Sequence, residues 1–430
     1  MNPQAEELNK IIKAKNPVIY DLLSKKGKNI FFPKKGILGQ TADAKGTRIN
    51  ATIGAAVEDN GSPMRLGSIE SNVKLDPSLV FPYAPSFGRP DIRAKWQSMI
   101  FEKNPSLKDK TISLPVVTNA LTHGVSMAGY LFVDEGEKVI VPDLFWGNYN
   151  LILNHAYGSE INKFNLFKDS GFDLESFKAK LDEGGIGKKV LILNFPNNPT
   201  GYTPTIEEQK AIVAIIKESA EKGNKIVVFS DDAYFGLVYE EGIETESIFA
   251  QLCDLHKNVL ALKVDGPTKE DYVWGFRVGF MTYGIKGGDA ELYAALEAKT
   301  AGAVRGNISN AANISQSLLL NAFENEAYKE QKAEKFEIMN KRYHAVKDAL
   351  KDEKYAEYFT ALPYNSGYFM CVQLAEGLDG EKIRKILIDK YSIGIINLNN
   401  VIRVAFSAMA ASDAKELFEG IYNACIDSKQ

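Results

Sequence analysis

The sequence predicts an α/β fold, a mostly parallel sheet covered by helices, followed by a smaller α+β domain at the carboxyl end. Three observations predict it. Five short apolar runs rich in Val, Ile, Leu and Phe have the composition of strands buried on both faces. Helix-like segments separate them, the alternation a parallel sheet requires. Beyond about residue 309 the alternation gives way to a long charged helical stretch and then to three short strand-like runs.

Taken in order, the chain begins with MNPQAEELNKIIKAKN, which is polar and helical in pattern and has no apolar segment. The five apolar runs are EKVIVPD (137–143), KVLILNF (189–195), KIVVFSD (225–231), NVLALKVDG (258–266) and RVGFMTYG (277–284). TIEEQKAIVAIIKESAEKG is the clearest helix: Thr205 and Glu208 have capping-box spacing, and Gly223 supplies the stop. From Ser309 to Phe359 no glycine or proline interrupts apolar positions at three- and four-residue spacing, which predicts a connecting helix. NSGYFMCVQL, SIGIINL and VIRVAFSAM then read as strands, and SDAKELFEGIYNACIDSK as a final helix.

Composition excludes several function classes. The chain has 430 residues, 45% hydrophobic and 25% charged, which suffices for a large core and, on the usual size of domains, for roughly two or three of them. A net charge of −4 without any basic run offers no footprint for nucleic acid or anionic membrane, so small molecules are the expected partners. Cys253, Cys371 and Cys425 are scattered and odd in number, with neither a disulfide framework nor CxxC spacing, which fits a reducing cytoplasm. No run of about 18 apolar residues suggests a membrane span. The four histidines lack metal-ligand spacing, and neither GxxxxGK[ST] nor a GxGxxG turn after a strand is present.

The chemistry is expected where apolar runs end in polar caps, because ligands of α/β sheets bind beyond the carboxyl ends of the strands. In NFPNNPTG the turn chemistry of Pro-Thr-Gly exposes Asn198. In SDDAYFG, Asp231 ends a strand and requires a cationic partner if it is buried. In VDGPTK, Lys269 lies beside apolar WGF and eight positions before Arg277, a setting that lowers the pKa of an amine and makes it nucleophilic toward an aldehyde. Alone, each has a plain structural reading as a turn, a helix cap or a surface lysine. Together they have the parts to hold a phosphorylated pyridine aldehyde.

The order Tyr83-x-Pro, Trp146, Asn198-Pro-Thr-Gly, Asp231-x-Ala-Tyr234, Lys269, Arg277-x-Gly and Arg403 resembles the class I and II aminotransferases, the fold-type I pyridoxal-phosphate enzymes, over nearly the whole chain. The resemblance implies a large domain at 58–320 with a mostly parallel seven-stranded sheet, and a smaller α+β domain built from 1–57 and 321–430. It implies pyridoxal 5′-phosphate as cofactor and an amino acid and a 2-oxo acid as substrates. By this resemblance Lys269 is the lysine that joins the cofactor covalently and moves the substrate's Cα proton. Asp231 pairs with the pyridinium nitrogen, and Asn198 and Tyr234 bond the phenolic oxygen while Trp146 stacks on the ring. Thr122 and the amides of Ala120 and Leu121, at a helix start suited to anions, hold the phosphate with Arg277. Tyr83 reaches the phosphate of a neighbouring subunit, implying a homodimer with shared sites.

Arg403 matches the arginine that grips the substrate α-carboxylate, for which its planar fork is suited. Gly54 corresponds to the residue that lets the N-terminal segment approach the substrate. Arg305 resembles the position that binds a distal carboxylate from the other subunit, implying a substrate such as aspartate or glutamate, although aromatic aminotransferases keep an arginine there too. A cis bond is implied at Asn198–Pro199. One departure precedes the lysine: Gly266 stands where many members have serine, so that either one phosphate contact is lost or Thr268 replaces it. The implied activity is ping-pong transamination. A carbon–sulfur β-lyase or a cyclopropane-carboxylate synthase would use the same cofactor site, and a non-catalytic regulatory module is disfavoured by the presence of the lysine.

Overall fold

The computed structural model describes residues 1–31, 36–71 and 73–429, so residues 32–35 of the expected small-domain segment lie outside it. Seven strands form the central sheet: β1 (Val116–Thr118), β2 (Lys138–Pro142), β3 (Glu160–Phe164), β4 (Lys188–Asn194), β5 (Lys225–Asp231), β6 (Val259–Asp265) and β7 (Gly279–Ile285). Their order across the sheet is β1-β7-β6-β5-β4-β2-β3. All neighbours are parallel except at β7, which runs antiparallel to both β1 and β6. The five apolar runs became β2, β4, β5, β6 and β7 within two residues at each end, because both faces of these strands are covered and most of their interior positions are apolar.

Helix α1 (Ala120–Phe132) leaves β1 directly and packs on the sheet, and α2 (Ile206–Glu221) links β4 to β5. The capping box at the start of α2 is present in full, with Thr205 accepting from the Glu208 amide and Glu208 accepting from the Thr205 amide. Gly223 follows with φ 108°, a conformation that favours glycine.

The stretch expected to be one helix from Ser309 to Phe359 is instead α3 (Asn313–Phe323), α4 (Tyr328–Ala349) and a short turn leading into a strand. The break needs no glycine or proline. The Asn325 side chain accepts from the Ala327 amide while its carbonyl accepts from the Tyr328 amide, a local turn that competes with the helix. The break lets the Tyr328 ring turn inward and become buried.

A second, antiparallel sheet of β8 (Phe359–Ala361), β9 (Phe369–Leu374), β10 (Ile396–Leu398) and β11 (Val401–Ala405) has the order β8-β9-β11-β10. The final helix is α5 (Ala414–Ser428). Residues 49–50 pair in parallel with residues 393–394, which joins the N-terminal segment to this second unit. No helix among the described residues is long and apolar enough to cross a membrane.

Candidate active site

The strand register gathers the polar caps along one edge. Asn194 pairs with Asp231, and Asp231 with Val264, so the ends of β4, β5 and β6 lie side by side. Because β7 is antiparallel, its beginning after Arg277 falls at this same edge, and Gly279 pairs with Thr118 just before the start of α1. A cleft with about 470 Å³ of empty space, part of it open to solvent, lies here. It is lined by Asn194, Asn198, Asp231, Ala233 and Tyr234 from the strand ends, by Trp146, by Thr268, Lys269 and Arg277, and by Ala120, Leu121 and Thr122 at the start of α1. Ten of the fourteen residues expected from sequence thus line one cavity.

Lys269 has its Nζ 5.0 Å from the centre of the Tyr234 ring. Burial pushes the amine down to about 8; the Arg277 guanidinium adds to this and Asp231 opposes it. Asp231 is 3% exposed, and burial raises its carboxyl to about 6, an effect that the Tyr149 hydroxyl counters. Tyr149 donates to Asp231 Oδ2 at 2.5 Å and the Ala233 amide to Oδ1 at 3.2 Å. Neither donor carries charge. Burial likewise holds the Tyr234 and Tyr149 hydroxyls well above the usual phenol range.

Two side chains beside or in the cavity have hydrogen-bonding capacity left over. Thr268 Oγ1 is buried and has no partner, which leaves it available to a ligand oxygen. Gly266 is extended, and a Cβ there would come within 2.8 Å of the Val278 carbonyl oxygen, so the serine that many members carry at this place would not fit here without a shift of the backbone. Ala120 (φ 64°) and Arg277 (φ 53°) both adopt the left-handed conformation that non-glycine residues avoid, and both lie on the cavity, where such strain concentrates at working sites.

Arg403 adjoins the cavity through Asn198, to whose Oδ1 its Nη1 donates at 3.4 Å. Its Nη2 donates to the Thr52 carbonyl at 2.8 Å, Nε has no partner, and the guanidinium lies 4.3 Å from the centre of the Phe369 ring. Arg403 is 2% exposed and makes no ion pair among the described residues. A buried cation without an anion is costly, and burial accordingly lowers its pKa. Gly54 lies against the same aromatic: a Cβ on it would sit 3.0 Å from Phe369 and 3.8 Å from the Tyr234 hydroxyl.

The structure does not bring Tyr83 or Arg305 to this chain's own cavity. Tyr83 is 90% exposed and Arg305 is exposed in the last turn of the helix at Ala290–Ile308. The cis bond expected at Asn198–Pro199 is instead at Phe195–Pro196. Around Pro199 the chain is closed by hydrogen bonds from Thr200 to the Asn197 side chain and from the Gly201 amide to the Asn197 carbonyl, a turn made with the Asn198–Pro199 bond trans. Sequence reasoning missed Tyr149, Asn194 and Phe369. Asn194 accepts from the Asn198 amide and donates to the Asp231 carbonyl, bracing two neighbouring strand ends. Tyr149 follows Trp146 by three residues, a spacing that signals a shared face, and its ring packs edge-on to Trp146 at 5.5 Å.

The family model for aminotransferase class I and II matches residues 61–421. The chain belongs to this family. Among curated relatives, this chain is 26% identical over 230 residues to the aspartate aminotransferase of Bacillus subtilis, covering 53% of this chain and 54% of that one. It is 27% identical over 297 residues to the aspartate aminotransferase of Salmonella typhi, covering 66% and 71%. The chain spans about half the length of the first curated relatives it matches. Among solved structures, an aminotransferase from Anaerococcus prevotii superposes with a TM-score of 0.80 at 25% identity, covering 90% of this chain and 96% of that one. A Pyrococcus horikoshii kynurenine aminotransferase shares the fold with a TM-score of 0.78 at 18% identity, covering 96% and 98%. The seven-stranded sheet is thus that of the fold-type I aminotransferases.

Proposed function

We propose that this aminotransferase binds pyridoxal 5′-phosphate in the cavity and carries an amino group from an L-amino acid to a 2-oxo acid by ping-pong transamination. The observation that carries the reading is one cavity holding a lysine with a depressed pKa and a buried carboxylate without a cationic ion-pair partner, adjoined by a buried arginine that lacks an anion. The unpaired Thr268 hydroxyl, the amides at the start of α1 and Arg277 suit a phosphate. The cofactor would supply an aldehyde that takes up the amino group and a pyridinium ring that draws electrons from the substrate Cα.

This chain's residues then have the following work. Asp231 keeps the ring nitrogen protonated, Asn198 and Tyr234 hydrogen-bond the phenolic oxygen, and Trp146 covers a ring face. Thr122, Thr268, Arg277 and the amides of Ala120 and Leu121 hold the phosphate. Lys269 takes the proton from the substrate Cα and returns it, and its amine, down at about 8, is poised to do both near neutral pH. Arg403 grips the α-carboxylate through its fork, and Gly54 leaves room for the substrate beside Phe369. Because the amino group is stored between half-reactions, one set of side chains serves donor and acceptor, 2-oxoglutarate being the acceptor we propose.

The proposal extends to a cytoplasmic homodimer with residues 58–320 as the large domain and the remainder as the small one. The exposed Tyr83 and Phe81 support an interface, and Tyr83 is assigned to the phosphate of the neighbouring site and Arg305 to the distal carboxylate of an acidic substrate there. The test is the visible absorption of purified protein with pyridoxal phosphate, before and after single amino acids, with Lys269→Ala alongside. Bleaching by certain amino acids, and its reversal by 2-oxoglutarate, is the expected result. Release of pyruvate and ammonia without any acceptor would show a lyase instead, and absence of a band would refute the cofactor.

A further inference from the structure

The turn that bears Lys269 is held from behind by a buried ion network that the transamination reading does not use. Asp265 precedes the turn and accepts from Trp96 Nε1 at 3.1 Å. Lys263, 1% exposed, pairs with Asp265 at 3.3 Å and also with Asp232, which takes a further hydrogen bond from Ser247 at 2.5 Å. Strand alternation puts Asp232, Lys263 and Asp265 on the face of the sheet opposite Asp231. After the lysine come Glu270, 4% exposed, and Asp271, fully buried. Glu270 lies between Lys103 at 3.0 Å and Lys332 at 2.5 Å. Asp271 Oδ1 is 3.0 Å from Lys332 and accepts from the Tyr328 hydroxyl at 2.6 Å, while its Oδ2 has no partner. The Lys269 carbonyl itself accepts from the Tyr368 hydroxyl at 2.7 Å.

Tyr328 and Lys332 are one turn apart at the start of α4. Further along the same helix, Arg342 donates to the Ser407 carbonyl at 2.5 Å and to the Val57 carbonyl at 2.6 Å. Ser407 lies just beyond β11, the strand that carries Arg403. Ten residues of helix, about 15 Å, therefore connect the grip on the lysine turn with the grip on the segment that follows the carboxylate-binding arginine. Adjacent buried acids are a poor way to gain stability, because well-packed apolar residues commonly do as well or better. What such a cluster does provide is one permitted position for the backbone that carries it.

We propose that Lys332 is a positioning residue for Lys269: by neutralising Glu270 and Asp271 together it fixes the turn that aims the Lys269 amine, and it ties that turn to the helix that also holds the Arg403 side of the site. The proposal rests on the transamination reading. Without Lys332, two adjacent buried carboxylates share Lys103 alone, and the turn relaxes toward whatever solvates them. Lys269 then stands off the substrate Cα although substrate and cofactor contacts are intact.

The experiment compares wild-type holoenzyme with Lys332→Met, Lys332→Arg and Tyr328→Phe. It measures kcat, KM for the amino donor, the isotope effect of an α-deuterated donor and thermal unfolding. In the cofactor-free proteins it also follows the rate at which the visible band appears with pyridoxal phosphate. Lys332→Met is expected to lower kcat by about 10- to 100-fold with KM within about threefold. The isotope effect on kcat rises as proton transfer becomes limiting, and band formation slows. Lys332→Arg restores most of kcat, and Tyr328→Phe shifts each quantity in the same direction by less. A Lys332→Met protein that unfolds earlier but keeps the wild-type kcat, isotope effect and band-formation rate overturns the proposal. If Lys332→Met fails to fold, Tyr328→Phe decides, and wild-type kinetics there overturn it equally. A wild type that forms no band and turns over no amino acid removes the transamination reading and this proposal with it, whereas an active wild type matched by its variants removes this proposal alone.

Discussion

Asp231→Asn should make the cofactor-free protein more stable while destroying its function. Burial raises the Asp231 carboxyl from 3.8 to about 6, and a shift of one unit corresponds to about 1.36 kcal/mol, so keeping this group ionised costs the empty fold about 3 kcal/mol at pH 8. The sign follows from the direction of the shift. A carboxyl raised in the folded state contributes stability below the unfolded value of 3.8, and that contribution is lost as pH rises through about 6. Asparagine has the same shape, no charge to desolvate, an oxygen that still accepts from the Ala233 amide, and an NH2 that donates to the Tyr149 hydroxyl oxygen. The variant's advantage is therefore expected to be about 3 kcal/mol at pH 8 and to shrink to about half of that at pH 5, where the folded wild type is mostly protonated at this site. Urea unfolding of both cofactor-free proteins at the two pH values measures the gap. An advantage that does not change with pH, or a variant less stable than wild type at pH 8, would refute the assignment of that cost to Asp231.

Four further outcomes are expected. Since Lys269 must lose its proton before it can attack an aldehyde, the rate at which cofactor-free protein combines with pyridoxal phosphate should rise as pH passes through about 8 and level off above it; a flat rate from pH 6.5 to 9 would contradict the depressed amine. Arg403→Lys keeps the charge but loses the fork, so kcat/KM for the amino donor should fall by about 10- to 100-fold, as measured by steady-state kinetics, with the visible cofactor band unchanged. Gly201 has φ 71°, and a Cβ there would sit 1.9 Å from the Phe369 carbonyl oxygen, so Gly201→Ala should lose roughly 3 kcal/mol or more in urea unfolding. Arg305→Ala should cripple turnover of aspartate and spare phenylalanine, and equal losses for the two donors would remove Arg305 from substrate selection.

Which parts of the fold could be read in advance follows from how each element is buried. Strands β4, β5 and β6 stand in the middle of the sheet, are covered on both faces and so appear as predominantly apolar runs, Lys263 being a charge within them. Strand β3 lies at an edge, and its sequence, EINKF, buries only Phe164 fully, so no apolar run marks it. Strand β1, at the other edge, is three residues long, too short for any periodicity to show. The helix break at Glu324–Ala327 was hidden because asparagine, rather than glycine or proline, makes it. The cavity was legible where a polar residue interrupts an apolar run, as at Asp231 and Lys269. Tyr149, Asn194 and Phe369 left no such mark, because each matters through a partner that only folding brings near: Tyr149 reaches Asp231 across 82 positions of sequence. The same holds for Lys332, an ordinary helix lysine in sequence that meets two buried acids 62 and 61 positions away.

Asp231 and Arg403, two of the buried charges at the site, have opposite signs, and the fold keeps them from cancelling. Asp231 ends a strand of the large sheet with neutral donors only, while Arg403 stands on the small sheet with a carbonyl, an amide oxygen and an aromatic face around it. Between them lie Asn198 and Tyr234, whose amide and hydroxyl are 3.4 Å apart and both uncharged. If Asp231 and Arg403 met, the resulting ion pair would satisfy both and the empty protein would gain stability. Held apart by a neutral pair, each needs a partner from solution, a cation at one end of the cavity and an anion beside it. A protonated pyridine ring and the carboxylate of an amino acid, the ligands proposed for this site, would supply those charges. The stability given up in the empty site is therefore the measure of its selectivity, because a ligand that neutralises only one of the two charges leaves the other buried and alone.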